Sequence, residues 1–128
     1  MPGEIVFDAS AVLTILKREQ GCERALAVLD RALIGAVNIA EVQSKLIETG
    51  LDRESARKRI LFLGCRTVPF SESLAFEAGS LVERTRPYGL SLGDRACLTL
   101  ALERKAPVYT TDRAWSQLGL DLTIEVIR

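Results

Sequence analysis

The spacing of apolar and polar residues predicts an alternation of short strands and helices along the whole chain. Ile5 to Phe7 form an apolar run that ends at Asp8, and apolar residues then recur at helical spacing as far as Leu16. The next predicted elements are a helix over 22–33, a strand over 35–37, a helix from Asn38 closed by Gly50, a helix over 52–63 and a strand over 66–70. They are followed by helices over 74–85 and 92–104, a strand over 108–110, a short helix over 112–118 and a strand over 122–127.

This alternation predicts an α/β fold, because parallel strands need a helical crossover to return the chain to the same edge of the sheet. We expect three layers, α/β/α, around a mainly parallel central sheet of four or five strands. Pro69 indicates that the 66–70 strand lies at or near an edge of that sheet. The 128 residues, 48% of them hydrophobic, predict one domain over residues 1–128 with Trp115 as a core anchor.

Composition then limits the chemistry. The 17 basic and 17 acidic residues cancel, which is unlike a general nucleic-acid coating protein, so any contact with RNA must come from local patches. The chain has no histidine, which excludes catalytic triads built on His and His-ligated metals. Any hydrolysis therefore falls to carboxylates or to metal-bound water.

The cysteines and the chain's apolar stretches bear on its compartment. Cys22, Cys65 and Cys97 are odd in number and far apart, so we expect all three to be reduced. No apolar run reaches the roughly 18 residues of a membrane span, and Met1 to Glu4 lacks the basic start of a secretory signal. These features predict a cytoplasmic protein with no membrane partner.

Four acids fall at points where a strand or loop gives way to a helix. Asp8, Asp112 and the pair Asn38 and Glu41 follow predicted strands, and Asp94 joins them from the start of a helix. In open α/β sheets the functional crevice lies beyond the carboxyl ends of the strands. We therefore predict that Asp8, Glu41, Asp94 and Asp112 share one site. Their mutual repulsion would be relieved by a divalent cation.

Each acid also has a purely structural explanation. Asp8 and Asp112 stand where N-caps stand, and Asn38–Glu41 and Ser91–Asp94 both have the three-residue spacing of a capping box. From the residues alone, capping and metal binding are equally open.

Carboxylates without His or Cys match the ligand preference of Mg²⁺ or Mn²⁺. One or two such ions can generate hydroxide for attack on a phosphodiester and neutralise the charge on the departing oxygen. Ser10 and Thr110 lie close in sequence to Asp8 and Asp112, where they can hydrogen-bond a ligand carboxylate or a metal-bound water.

Four motifs in order resemble those of a PIN domain: residues 6–11 (VFDASA), 38–41 (NIAE), 90–96 (LSLGDRA) and 110–115 (TTDRAW). The similarity spans nearly the whole chain and is greatest to the toxin ribonucleases of bacterial toxin–antitoxin pairs, often called VapC. It implies a parallel sheet between helical layers and metal-dependent endonucleolytic cleavage of RNA.

The resemblance also assigns roles to residues. By motif, the core metal-binding acids are Asp8, Glu41 and Asp94, with Asp112 as a more variable fourth and Thr110 as the hydroxyl residue that precedes it. Some members carry a further acid where this chain has Ala114, so one firmly bound ion is expected.

The partners that the resemblance implies are a second copy of the chain and a cognate antitoxin lying in a groove. The first helix and the 22–33 helix would form the walls of that groove. Candidates for contact with RNA phosphates are Arg18, Arg24, Arg31, Arg57, Lys58, Arg59 and Arg95. Arg95 ranks first because it follows Asp94.

Two other functions remain as alternatives. A phosphoacceptor signalling domain shares the α/β plan, but Pro69 to Ser71 supply no Asp after the third strand, and no Lys follows the last strand. A catalytically silent PIN-like protein-binding module would keep the fold without turnover, and the intact acids argue against it.

Overall fold

The computed structural model describes residues 3–128 and joins five short strands into one sheet. The strands are β1 (Ile5–Phe7), β2 (Ala32–Gly35), β3 (Arg66–Val68), β4 (Val108–Thr110) and β5 (Ile124–Val126). Their order is β3-β2-β1-β4-β5, and each neighbouring pair is parallel. The parallel sheet is confirmed, and β3 lies at its edge as Pro69 predicted.

Helices cover both faces of the sheet. They are α1 (Ala9–Leu16), α2 (Cys22–Leu26), α3 (Ala36–Glu48), α4 (Arg53–Leu63), α5 (Glu72–Ser80), α6 (Val82–Thr85) and α7 (Leu92–Arg104). Short 3-10 turns occupy Leu29–Arg31, Arg86–Tyr88 and Arg113–Gln117. The three-layer α/β/α prediction is therefore confirmed.

Two apolar cores lie on opposite faces of the sheet, and the alternation of side chains along each strand divides residues between them. In β1, Ile5 and Phe7 pack with α1, α3 and α4, whereas Val6 packs with α5 and α7. Trp115 is fully buried in the second core, which confirms its predicted anchoring role. Burial on both faces explains why β1 is wholly apolar.

Helix α7 is buried on nearly all sides in its middle part. Every residue from Ala96 to Ala101 is buried, so this helix has no broad polar face. Its first turn, which carries Asp94, emerges at the carboxyl end of the sheet. The buried segment thereby fixes the position of that acid.

Several predicted boundaries were wrong. The 22–33 helix is only α2 followed by a 3-10 turn, and the strand placed at 35–37 is instead Ala32–Gly35. The helix expected to begin at Asn38 begins at Ala36, and the helix expected over 74–85 is interrupted at Leu81. A strand of only four residues has too short an apolar pattern to be distinguished from the helical spacing that precedes it.

Cys22, Cys65 and Cys97 are free thiols, as predicted. Among residues 3–128, the structure contains no helix with both the length and the apolar character needed to cross a membrane.

Candidate active site

Two of the predicted acids, Asp8 and Asp112, follow the adjacent parallel strands β1 and β4, where the order of the strands in the sheet reverses direction. Strand β1 pairs with β2 on one side and with β4 on the other, and crossovers leave the sheet in opposite directions from this point. Such a switch point is where open α/β sheets hold their ligands. Asp8 directly follows β1, and Thr110 ends β4.

Asp8 is buried and held by three hydrogen-bond donors. The Ser10 hydroxyl and the Ala11 amide donate to Oδ1 at 2.6 and 2.8 Å, and the Thr110 hydroxyl donates to Oδ2 at 2.6 Å. The Ala11 bond makes Asp8 the N-cap of α1, so the capping prediction is confirmed. Both hydroxyls bond a carboxylate of the site, as predicted, and the structure shows that Thr110 bonds Asp8, the acid distant from it in sequence.

Burial raises the pKa of Asp8 to about 6, and the negative charge of Asp94 adds to the rise. The bonds from Ser10, Thr110 and Ala11 act in the opposite direction and lower it. A carboxylate that is kept in place although burial disfavours its charge is typical of a functional site.

Glu41 projects from α3 toward the start of α7. It is not part of a capping box, because Gly35 is the N-cap of α3 and Asn38 is already inside the helix. The Asn38 amide instead donates to Glu41 Oε1 at 2.7 Å and to the Gly93 carbonyl at 3.1 Å. A Cβ on Gly93 would lie 2.5 Å from both Glu41 oxygens, so the carboxylate rests against the α7 backbone.

Asp94 occupies the first turn of α7 in the predicted capping box. Its amide donates to Ser91 Oγ at 3.1 Å, and its Oδ2 accepts from the Ser91 amide at 3.1 Å. A carboxylate here is stabilised by the helix N-terminus. Capping and membership of the acidic site therefore coexist at this residue.

The buried Cys97 thiol is affected by the charges of three of the acids. Its pKa lies well above the ordinary value, first because of desolvation and then because of the charges of Asp8, Asp94 and Glu41. The sequence predicted Cys97 only as a core residue. It lies one turn after Asp94 on α7, within range of the charges of the three carboxylates.

Asp112 is distinct from this group. It is exposed, it does not contribute to the raised pKa of Cys97, and its Oδ1 accepts from the Ala114 amide at 3.0 Å as the cap of a 3-10 turn. Its own amide donates to Thr110 Oγ1 at 3.1 Å. Asp112 is therefore linked to Asp8 through the Thr110 hydroxyl.

The side chains present suit a hard divalent cation in their chemistry but do not form a closed cage. Among residues 3–128 no group of three or more Asp, Glu or Cys side chains stands ready to hold one ion. Glu41 and Asp94 each direct one oxygen to a donor of the chain itself. Mg²⁺ keeps several waters and commonly binds through one or two carboxylates together with substrate phosphate, so an open arrangement of carboxylates is compatible with Mg²⁺ binding.

The basic residues proposed for RNA contact have different surroundings. Arg95 donates to the Ala78 carbonyl at 2.9 Å and thus ties α7 to the end of α5. Arg24 pairs with Glu125, and Arg31 donates to the Gly3 carbonyl. Arg18, Lys58 and Arg59 line an apolar groove between α1, α2 and α4.

Comparison with known families gives a match over most of the chain. The profile of the PIN domain matches residues 5–120. No protein in the curated collection matches significantly.

Solved structures share the fold at low sequence identity. A DNA-bound VapBC from Salmonella typhimurium is 18% identical, with a TM-score of 0.74 over 97% of this chain and 98% of that one. VapBC2 from Rickettsia felis, bound to a promoter DNA fragment, is 17% identical, with a TM-score of 0.73 over 94% and 96%. VapC20 from Mycobacterium tuberculosis, described as a toxin that cleaves the sarcin-ricin loop, is 13% identical, with a TM-score of 0.73 over 91% and 96%.

The profile match, the five-stranded parallel sheet and the acids at its switch point agree with one another. The chain belongs to the PIN domain family.

Proposed function

We propose that this protein is a metal-dependent endoribonuclease that acts as the toxin of a toxin–antitoxin pair. The observation that carries the proposal is the position of two acids at one end of the sheet: Asp8 is held by Thr110 at the ends of β1 and β4, and the Glu41 carboxylate rests against Gly93, next to Asp94. The PIN domain family and the fold shared with VapC20, a toxin that cleaves RNA, support it. An RNA substrate would place its action in the cytoplasm.

The hydrogen bonds leave one free oxygen position on each of the three acids. Both lone pairs of Asp8 Oδ1 are used, whereas Oδ2 accepts only from Thr110. Glu41 Oε2 and Asp94 Oδ1 have no donor assigned, since their companion oxygens accept from Asn38 and Ser91. These three oxygens are the ones that would hold Mg²⁺ or Mn²⁺.

A divalent cation at this place supplies Lewis acidity toward the phosphate and a hydroxide nucleophile near neutral pH. The chain's own contribution is to hold the ligand oxygens. Ser10, Ala11 and Thr110 prevent rotation of the Asp8 carboxylate, and the α7 N-terminus lowers the energy of negative charge on Asp94. Asp112 would act from outside this group, and Arg95 remains a candidate for phosphate contact once released from Ala78.

RNA cleavage by purified, antitoxin-free protein tests this function. We expect cleavage with Mg²⁺ or Mn²⁺, no cleavage with a chelator, and loss of cleavage in Asp94→Asn. The matched control is Asp121→Asn, which removes an exposed acid from the loop before β5, at the opposite end of the sheet. Equal cleavage by Asp94→Asn and the parent would mean that the activity is a contaminant or the site is misassigned.

A second candidate function is a silent protein-binding module. The observation favouring it is that Glu41 and Asp94 hold hydrogen bonds within the chain, and no three-ligand group is preformed among residues 3–128. The growth of cells that express the protein distinguishes the two functions. Expression without an antitoxin should arrest growth and Asp8→Asn should relieve the arrest, whereas a silent module would have no effect in either form.

We propose that the antitoxin binds an apolar groove between α1, α2 and α4. The groove, of about 750 Å³, is lined by Ile15, Leu16, Cys22, Leu26, Phe62 and Leu63. Phe62 is 91% exposed, which is unusual for a large apolar side chain without a partner. Arg18, Lys58 and Arg59 border the same groove and favour an apolar segment flanked by acidic residues.

The predicted groove walls were α1 and the 22–33 helix. Only the α2 part of that segment lines the groove, and α4, which the sequence reasoning did not assign, forms the other side. We also propose that the protein is a homodimer. Phe76 on α5, 71% exposed and outside this groove, is available to a second copy, and light scattering of the parent and Phe76→Ser would test this.

A further inference from the structure

Asn38 lies in the first turn of α3 and is buried to 1% exposure. Its Nδ2 donates to two acceptors on different elements: Oε1 of Glu41 at 2.7 Å and the backbone carbonyl of Gly93 at 3.1 Å. Both partners are acceptors, so the amide can face them only through its nitrogen. Asn38 therefore bridges the acid on α3 to the first turn of α7.

Gly93 forms the other half of this contact. It is buried beside the Glu41 carboxylate, and a Cβ there would lie 2.5 Å from the carboxylate carbon and from both oxygens. No real side chain tolerates that separation, so any residue larger than Gly would displace the carboxylate. The missing side chain allows Glu41 to approach the turn that carries Asp94.

Besides these two hydrogen bonds, the arrangement carries costs for folding. The Oδ1 atom of Asn38 is buried with no hydrogen-bond partner and faces Gly35, where a Cβ would be 3.3 Å away. A buried acceptor without a donor destabilises the folded state. Gly93 likewise weakens the helix it occupies. Leu has the same branched outline as Asn without the unpaired oxygen, so packing alone would favour Leu at position 38.

We propose that Asn38 and Gly93 are positioning residues that hold the Glu41 carboxylate against the start of α7 and leave Oε2 without a donor from the chain. The inference rests on the proposed metal-dependent function. The unpaired Oδ1 of Asn38 and the helix-weakening Gly93 both lower the stability of the fold. In return, the otherwise flexible Glu41 side chain is held in one position. Sites that violate a folding rule in this way are expected where function requires a particular geometry.

The test compares Asn38→Leu and Gly93→Ala with matched substitutions elsewhere. Gln43→Leu is the control for Asn38, because it also removes a half-buried amide of α3 that donates to a backbone carbonyl, that of Arg53, and also has an unpaired Oε1. Gly79→Ala in α5 is the control for Gly93, because its added Cβ meets nothing within 4 Å. Each antitoxin-free variant is titrated with Mn²⁺ by calorimetry and unfolded thermally without metal.

We expect both site variants to bind Mn²⁺ about 10- to 100-fold more weakly than the parent. Their thermal midpoints should be equal to or above that of the parent, which a purely structural role would not produce. Both controls should keep the parent's affinity. If Asn38→Leu does not fold, Gly93→Ala carries the same comparison, because the displaced Glu41 carboxylate is the mobile end of its side chain.

Glu41→Gln separates failure of this inference from failure of the proposed function. If Glu41→Gln loses Mn²⁺ affinity while Asn38→Leu and Gly93→Ala keep it within twofold, the positioning role is wrong and the metal site stands. If Glu41→Gln also keeps the parent's affinity, Glu41 is not a ligand and both proposals fall. A lower thermal midpoint with unchanged affinity would likewise assign Asn38 to folding alone.

Discussion

Thr110 donates its hydroxyl to Asp8 Oδ2 at 2.6 Å, joining two residues that are 102 positions apart in the chain and adjacent at the switch point of the sheet. The Thr110 hydroxyl oxygen in turn accepts a hydrogen bond from the Asp112 amide at 3.1 Å. One hydroxyl thus links the buried acid after β1 to the exposed acid after β4.

Thr110→Val removes this link with almost no change of shape. The buried Asp8 carboxylate loses a donor and the Asp112 amide loses its acceptor, so we expect the free energy of unfolding to fall by about 1 to 3 kcal/mol. Chemical denaturation at neutral pH measures this. Thr111→Val is the control, since the structure assigns a bond only to the backbone amide of Thr111. Equal losses in both variants would contradict a special role for Thr110.

Asp8→Asn should stabilise the metal-free protein near pH 7. The pKa of Asp8 is about 6 in the folded protein and near the ordinary value of 3.8 in the unfolded chain, so the folded state holds the proton more tightly. Its favourable contribution is complete below about pH 4, declines as pH rises, and is lost above about pH 6. Each pKa unit corresponds to about 1.4 kcal/mol, which predicts a gain of about 1 to 3 kcal/mol in the variant.

Denaturation of parent and variant between pH 3.5 and 8 checks this prediction. The two should agree at the acidic end and separate between pH 4 and 6. Saturating Mn²⁺ should stabilise the parent but not Asp8→Asn. A constant difference across the whole pH range would show that Asp8 does not titrate as its burial implies.

Asp94→Asn and Asp112→Asn should differ in their effect on RNA cleavage. Both amides can still accept the capping bonds, so neither change should unfold the protein. We expect Asp94→Asn to reduce cleavage by more than about 100-fold because it removes a metal ligand. Asp112→Asn should stay within about 10-fold, as for a group outside the ligand set. Initial cleavage rates at saturating Mg²⁺ measure both, and a larger loss in Asp112→Asn would reverse the ranking.

Phe62→Ser should weaken antitoxin binding without affecting cleavage. Phe62 is an exposed aromatic side chain that lines the groove, and aromatic residues are enriched among binding hot spots, so its loss should raise the Kd about 30-fold or more. Calorimetry with the cognate antitoxin measures the Kd. Leu61→Ser is the matched control, because Leu61 is also an exposed apolar residue of α4 but does not line this groove. Comparable weakening by both variants would argue against this groove.

The best-predicted parts of the fold have strong local signals. Helix α7 and strand β4 begin and end where the sequence predicted, because a Ser–Asp capping box and a break at Pro87 and Gly89 mark the start of α7. Strand β2 was misplaced by three residues at its start, since Ala32–Gly35 follows a helical spacing without a break. Only pairing with β1 and β3 identifies those four residues as a strand.

In the candidate site, too, the features that depend on nearby residues were predicted and those that depend on distant residues were not. Asp8 was identified correctly as the cap of α1 and Asp94 as the third residue of a Ser91 capping box, since capping depends on residues within four positions of one another. The role of Asn38 was wrong, because it depends on Gly93, 55 residues away. Gly93 itself was missed. The only sequence signal for it was a helix-weakening residue beside an acid.

The sequence by itself determined the alternation of strands and helices, the absence of histidine chemistry and the order of the acid motifs, because periodicity, composition and capping are local properties. The tertiary structure decided that Thr110 holds Asp8, that Glu41 rests against Gly93 beside Asp94 in the sequence, and that Asp112 stays exposed. It also decided that Asn38 serves Glu41 and not the helix end. Those relationships depend on the strand order and on the packing of α3 against α7. Both bring together residues that are far apart in the chain, which no local pattern can indicate.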